Sequence, residues 1–86
     1  MDLELIKTFY IDLARKTHAE AEQICQQQGM KMYQPAHNRV SYRMILDRIQ
    51  NLVVFWESFP KHQGCFAVGK PNVDCNLKFQ VVCQQK

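Results

Sequence analysis

The chain contains little glycine and little proline, three of each in 86 residues, which excludes collagen-like and low-complexity structure. It also lacks a long hydrophobic run. The longest uninterrupted apolar segment is 52–56, far shorter than the roughly 20 residues that a membrane-spanning helix requires, so no membrane insertion is expected. Tryptophan occurs once, and there is no N-x-S/T sequon, so we expect no N-glycosylation either.

Charge of one sign is not concentrated anywhere in the chain. Eleven lysines and arginines stand against eight acidic residues, for a net charge of +3, and no block of five like charges could follow a phosphate backbone. Arg39, Arg43 and Arg48 can share part of one helix face, but Asp47 lies beside them. The sequence therefore indicates a solvated helix face, and nucleic acid is not an expected partner.

The length indicates one small domain, residues 1–86. With 47% hydrophobic residues the chain is not disordered, although a chain of this size buries only roughly 60–65% of its unfolded surface. Such a chain is short for an enzyme that builds its own cleft, it contains no G-x-S-x-G motif and no H-E-x-x-H motif, and no close carboxylate pair stands out. We therefore expect a non-enzymatic binding module without a cofactor.

The cysteines are even in number and dense, which favours disulfides and an oxidising compartment. The alternative is an intracellular module with structural zinc, using His18, His37 or His62. Zinc modules usually place two ligands in a close C-x-x-C knuckle, whereas the gaps here are 39, 9 and 7 residues. Disulfides are therefore the preferred interpretation, and three pairings are open. The four residues are Cys25, Cys65, Cys75 and Cys83.

The residue pattern predicts a strand, two helices and then three strands. Residues 5–11 form a β-branched and aromatic run typical of a strand. Thr17-x-x-Glu20 is a capping box that opens a helix extending to Gln28, and Gly29 ends it. The other predicted elements are a helix from 38 or 41 to 50 and strands at 52–56, 65–68 and 77–83, with a hairpin-type connection at 69–72. Strands separated from helices in this way indicate an α+β fold with a small antiparallel sheet.

Two spaced motifs resemble the C-type lectin-like domain. His18-x-x-Ala21-x-x-x-Cys25, followed by Gly29-x-x-Met32-Tyr33, is similar to the family's W-x-x-A-x-x-x-C and G-x-x-L-A, with His18 in place of the tryptophan. Segment 75–83 has the C-x7-C spacing of the family's last strand, and 55–59 resembles its W-I-G-L strand. The resemblance covers residues 7–84.

The resemblance implies a compact C-type lectin-like fold in which Cys25 pairs with Cys83 and Cys65 with Cys75. In the chain-entropy model these two cross-links contribute about 4 and about 3 kcal/mol. It also implies an extracellular protein. The first four residues carry an acid where a signal peptide has a basic region, so this chain is expected to lack a signal peptide and to be the mature part.

The family's calcium site is not expected here. Sugar-binding members carry E-P-N or Q-P-D ligands in a long loop, whereas only residues 60–64 separate Phe59 from Cys65. The W-N-D element is reduced to Asn72-Val73-Asp74. Calcium takes six to eight oxygen ligands, and Asp74 alone cannot hold it. We therefore predict a loop-deleted member without a metal.

The resemblance and the residues together predict an extracellular recognition module that binds a protein partner, with a homodimer through the shortened loop end as one form. The alternative is a calcium-independent glycan-binding domain. The single tryptophan, Trp56, is expected in the core rather than exposed for sugar stacking. The predicted ligand-binding residues are Phe59, His62, Gln63, Asn72 and Asp74, with Phe59 exposed at the end of a strand.

Overall fold

The computed structural model describes residues 9–35 and 42–85. Within them the chain forms two helices and antiparallel strands joined by two disulfides, which confirms the α+β class. The elements are β1 (Phe9–Lys16), α1 (His18–Gln27), β2 (Lys31–Met32), α2 (Tyr42–Arg48), β3 (Trp56–Glu57), β4 (Cys65–Ala67), β5 (Lys70–Val73) and β6 (Phe79–Gln84).

The strands divide between two three-stranded sheets, where the sequence predicted one. One sheet has the order β1-β6-β2 and the other β3-β4-β5. In the first, β1 lies antiparallel to β6, with Phe9 opposite Gln84. A single parallel bridge between Phe55 and Gln80 joins the region before β3 to β6. This bridge holds the start of the second sheet beside β6 of the first.

Helix α1 begins and ends where its capping signals predict. The Glu20 amide donates to Thr17 Oγ1 at 3.3 Å, and the Thr17 amide donates to Glu20 Oε1 at 2.9 Å, so both halves of the capping box are formed. After the helix, Gly29 adopts a left-handed φ of 68°, which a residue without a Cβ tolerates best. The interactions that set both ends join residues only a few positions apart.

Strand boundaries differ more from the sequence prediction. Strand β1 continues to Lys16, which pairs with Phe79 of β6 after an irregularity in the register beyond Asp12. Residues 5–8 of the predicted strand lie outside the described residues. The predicted strand 52–56 reduces to a bridge at Phe55 and the short strand β3. The segment 69–72, predicted to be a connection, is mostly strand β5. Pro71 is compatible with that strand because β5 is at the edge of its sheet.

Helix α2 spans Tyr42–Arg48. The predicted start at 38 or 41 lies outside the described residues. Ile45 is fully buried, and Leu46 and Ile49 pack against the same cluster, so these residues form the apolar face of α2.

Strand β6 separates two hydrophobic clusters. Val81 and Cys83 belong to the cluster that holds Trp56 and the Cys25–Cys83 disulfide, whereas Val82 belongs to the cluster around Tyr33. This alternation follows from the two-residue period of a strand. The two clusters thus cover the two faces of β6, while its position between β1 and β2 pairs both of its edges.

Trp56 is fully buried, which confirms its expected place in the core. Its indole Nε1–H donates to the Lys16 carbonyl oxygen at 2.7 Å. The rings of His18 and Phe79 meet it edge to face, with centroids at 5.3 and 5.0 Å. His18 is thus a packing histidine, and Glu22 lies 3.4 Å from its Nδ1. Because consecutive side chains of a strand point to opposite faces, the burial of Trp56 in the core places Glu57 on the other face of β3.

Candidate functional site

The candidate site lies on the face of the β3–β4–β5 sheet opposite Trp56. Consecutive side chains of a strand point to opposite faces. Since Trp56 and its partner Ala67 are buried in the core, the next pair, Glu57 and Phe66, lies on the other face. Directly opposed residues in antiparallel strands have Cβ atoms about 5 Å apart. The register therefore places a carboxylate beside an aromatic ring.

The connection between β3 and β4 folds two more rings onto this face. The His62 amide donates to the Phe59 carbonyl oxygen at 2.9 Å, which closes a four-residue turn with Pro60 at its second position, where proline is favoured. Phe59 and Phe66 have centroids 5.1 Å apart, and His62 lies 6.2 Å from Phe59 and 6.4 Å from Phe66. We call these three rings the aromatic trio.

A pocket of about 370 Å³ opens beside the aromatic trio. Its volume is at the small end of the range for ligand pockets, enough for one amino-acid side chain or one sugar ring. Apart from Glu57, His62 and Lys70, its lining residues are apolar. The lining residues are Glu57, Phe59, His62, Phe66, Ala67, Gly69 and Lys70.

Glu57 is the unusual group of the pocket. The residue is only 8% exposed. Its side chain forms no hydrogen bond or ion pair with any residue in 9–35 or 42–85. Burial raises the pKa of its carboxyl group above the usual value of 4.5, because removal from water disfavours the charged form. A ligand that supplied donors or positive charge would stabilise the ionised carboxylate.

The structure brings two of the five predicted ligand-binding residues together in this pocket, Phe59 and His62. His62 is exposed, whereas Phe59 is half-buried because it packs on Phe66, which corrects the prediction that Phe59 is exposed. Gln63 is exposed and is not a lining residue.

Asn72 and Asp74 also lie outside the pocket lining. Asn72 has a left-handed φ of 56°, and its side chain lies over Gly64, where a Cβ would collide with it. Asp74 accepts a hydrogen bond from the Asn76 amide at 2.9 Å and so closes the turn after β5. In the structure, the side chains of Asn72 and Asp74 therefore contact nearby backbone and do not line the pocket.

Sequence reasoning did not identify Glu57, Phe66 or Lys70. The sequence does contain a signal for Glu57, because the residue after a buried tryptophan on a strand points to the opposite face of the sheet. Its use requires the register between β3 and β4, because only the pairing of Glu57 with Phe66 brings the carboxylate to the rings.

The cysteines form Cys25–Cys83 and Cys65–Cys75, each with Cα atoms 5.4 Å apart. This is the pairing that the C-type lectin-like resemblance implies. No cysteine is free, so none is left as a thiolate for the zinc alternative, whose candidate ligand His37 lies outside the described residues. Across 9–35 and 42–85, no three histidine, cysteine or acidic side chains converge as a metal site would require.

None of the helices in the described parts of the chain has both the length and the apolar character needed to cross a membrane.

The chain has no significant match among protein-family models, curated proteins or solved structures. What the pocket can bind therefore follows from its own side chains.

Proposed function

We propose that this protein is an extracellular, non-enzymatic recognition domain of C-type lectin-like type, without a calcium site, that binds a protein partner. The observation that carries the proposal is the pocket between Glu57 and the aromatic trio. A concave apolar site with one or two convergent polar groups is the usual form of a binding site.

The disulfides support the extracellular part of the proposal. Two cross-links in 86 residues are typical of small domains that function in oxidising compartments. The helix-to-last-strand link Cys25–Cys83 also supports the C-type lectin-like assignment, since it is the pairing that the resemblance implies.

The pocket favours binding over catalysis. Its lining side chains include one carboxylate, one imidazole and one amine, but the Glu57 carboxylate and the His62 imidazole form no ion pair with each other, unlike the hydrogen-bonded nucleophile and base of a catalytic site. The two phenylalanine rings offer apolar contact area, and the buried carboxylate offers orientation. Anchor side chains of protein partners commonly enter pockets of this kind.

A glycan is the second candidate ligand, favoured by one specific observation. An acceptor, Glu57, lies next to ring surfaces of the aromatic trio, and sugar rings combine an apolar face with hydroxyl donors. Since the described residues hold no cluster of metal ligands, such binding would be independent of calcium.

The test compares wild-type protein with His62→Ala and Phe66→Ala in capture of secreted proteins and on a glycan array, with calcium and with chelator. Leu77→Ala is the matched control, because Leu77 is 48% exposed and lies outside the pocket lining. We expect wild type and Leu77→Ala to capture the same partner, both pocket variants to lose it, and the array to be blank. His62 is exposed, so its variant serves even if Phe66→Ala folds poorly.

Other outcomes change the conclusion in defined ways. A chelator-resistant glycan that only the pocket variants lose would favour the glycan alternative. A chelator-sensitive glycan would contradict the absence of a calcium site. A partner that both pocket variants retain would place binding on another surface. Gel filtration shows whether the partner is a second copy of the chain, in which case the pocket variants elute as monomers.

A further inference from the structure

We infer that the group received by this pocket is a lysine ammonium on the partner protein, held by Glu57 and the aromatic trio. The inference rests on the proposed function and specifies its ligand. It is drawn from the one strongly buried charged side chain of the pocket, which the described chain leaves without a partner.

The carboxylate provides the first reason. Glu57 is 92% removed from solvent yet borders the pocket, so a ligand group in the pocket reaches it without unfolding β3. Its oxygens keep some contact with solvent at the pocket, and partial removal from water disfavours the charged form until an opposite charge approaches it. A cationic ligand supplies the missing charge, whereas an acidic one would add repulsion.

The rings provide the second reason. A cation is attracted to the negative face of an aromatic ring within about 6 Å, and Phe59 and Phe66, which meet edge to face, line the same pocket as Glu57. Lysine fits this arrangement because a flexible four-carbon stem ends in a compact charge. The stem can lie along the apolar walls while the ammonium reaches Glu57.

The pocket's own cations do not take this position. Lys70 borders the pocket, but its ammonium forms no ion pair with Glu57. A lysine can line an apolar wall with its stem and keep its charge in water. His62 is exposed at the rim and forms no ion pair with Glu57.

The experiment is an NMR titration of the folded protein at pH 7 with Nα-acetyl-lysine methylamide and with its neutral isostere, Nα-acetyl-norleucine methylamide. We expect the lysine probe to shift the amide resonances of β3, β4 and the turn around His62. The norleucine probe should bind at least about fivefold more weakly, the size expected for a cation over aromatic rings.

Two variants test the role of the charge. Glu57→Gln keeps the shape of the side chain and should abolish the preference for lysine over norleucine. Asp47→Asn removes one negative charge from the exposed face of α2, outside the pocket lining, and should keep the preference. A preference that survives Glu57→Gln overturns the inference.

The remaining outcomes separate this inference from the proposed function. Equal affinity of the two probes at the pocket overturns the ammonium and leaves the pocket as the binding site. Tighter binding of the corresponding arginine probe overturns the choice of lysine. If neither probe shifts pocket resonances, the inference fails. The proposed function fails separately, when the captured partner is retained by the pocket variants.

Discussion

Single buried polar side chains organise much of the backbone around the core. Gln80 is the clearest case. Its Oε1 accepts from the Val53 amide at 2.7 Å, and its Nε2 donates to the carbonyl oxygens of Leu13 and Asn51 at 3.0 and 2.9 Å. An amide side chain offers both donors and acceptors. The Gln80 side chain thus satisfies backbone hydrogen-bonding groups of the irregular segment before β3. This explains why that segment does not need to be a strand.

Replacement of Gln80 by leucine should therefore destabilise the protein. The change leaves an amide and two carbonyl groups without their partner, and unsatisfied buried groups cost about 1–3 kcal/mol. We expect a loss of about 2–3 kcal/mol in the free energy of unfolding, measured by urea denaturation. Gln85→Leu, at an exposed neighbouring position, is the control and should change stability by less than about 0.5 kcal/mol. Equal effects of the two variants would contradict the role assigned to Gln80.

The Glu57 carboxyl group should make stability depend on pH. Because burial raises its pKa, the folded state binds the proton more tightly than the unfolded state. The resulting stabilisation is complete below the usual value of 4.5 and is lost as the pH rises through the raised pKa. We expect Glu57→Gln to raise the melting temperature at pH 7, the gain to shrink as the pH falls through the raised pKa of the carboxyl group, and no further change below 4.5.

Thermal melts from pH 3 to pH 8 measure this dependence, with Asp47→Asn as the exposed control. A gain that is the same at every pH would show that the amide stabilises by shape rather than by charge. Stability and binding are thus expected to oppose each other at Glu57, since the ionised carboxylate that weakens the fold is the group inferred to hold the ligand.

At the scale of elements, α1 depends on its N-terminal cap. The hydrogen bonds from Thr17 lower the pKa of Glu20, its backbone amide most and its hydroxyl next. A lowered pKa means that this contribution is present above the usual value of the group and is lost as the pH falls through the lowered one. The capping box is thus fully formed at neutral pH.

Thr17→Ala removes the side-chain half of this cap and should reduce the free energy of unfolding by about 1 kcal/mol. Gln23→Ala, at an exposed position within α1, is the matched control and should have little effect, since alanine is a good helix former. Urea denaturation of both variants at pH 7 measures the difference. If Thr17→Ala were as stable as the control, packing rather than capping would fix the start of the helix.

Elements whose ends depend on interactions between residues close in sequence are predictable from the sequence. Strands that are defined by pairing with distant residues are not. The turn at Gly69 was recognised from its residue type, and its φ is 71°. The sequence predicts a connection over 69–72, whereas most of that segment belongs to β5, an edge strand that accepts proline. Likewise, the apolar run 52–56 predicted a long strand, but Gln80 takes over the hydrogen bonding of the Val53 amide.

For the whole molecule, the two disulfides are expected to contribute unequally. Cys25–Cys83 spans 58 residues and joins α1 to β6, whereas Cys65–Cys75 spans 10 residues within the second half of the chain. In the chain-entropy model, loops of these sizes contribute about 4 and about 3 kcal/mol. The double variant Cys25→Ala/Cys83→Ala should therefore be less stable than Cys65→Ala/Cys75→Ala.

Denaturation of the two double variants measures the order, and intact mass after alkylation without reductant confirms that the remaining disulfide has formed in each. The reverse order would indicate that native packing at Cys65 outweighs the entropy of the unfolded chain. Cys65 precedes Phe66 in β4, so the short disulfide lies next to a pocket residue. Among molecules that remain folded, loss of the short disulfide should therefore weaken ligand binding at the pocket more than loss of the long disulfide does.

The sequence by itself determined the features that depend on composition or on residues close together. These are the α+β class, the capped helix α1 with its stop at Gly29, and the even cysteine count that indicates disulfides. The core position of Trp56 was also accessible, because a lone tryptophan in an apolar run is usually buried. Each of these follows from local hydrogen bonding, backbone freedom or hydrophobicity.

Only the tertiary structure decided the division into two sheets and the composition of the pocket. Glu57 and Phe66 are nine residues apart and meet through the register of two short strands, and a slip of one residue would turn every side chain to the opposite face. The same holds for Gln80, whose three partners come from distant segments. Strand register is fixed by the packing of the whole core. Phe59 and His62 can therefore be proposed from the sequence, whereas the place of the Glu57 carboxylate beside the aromatic trio cannot.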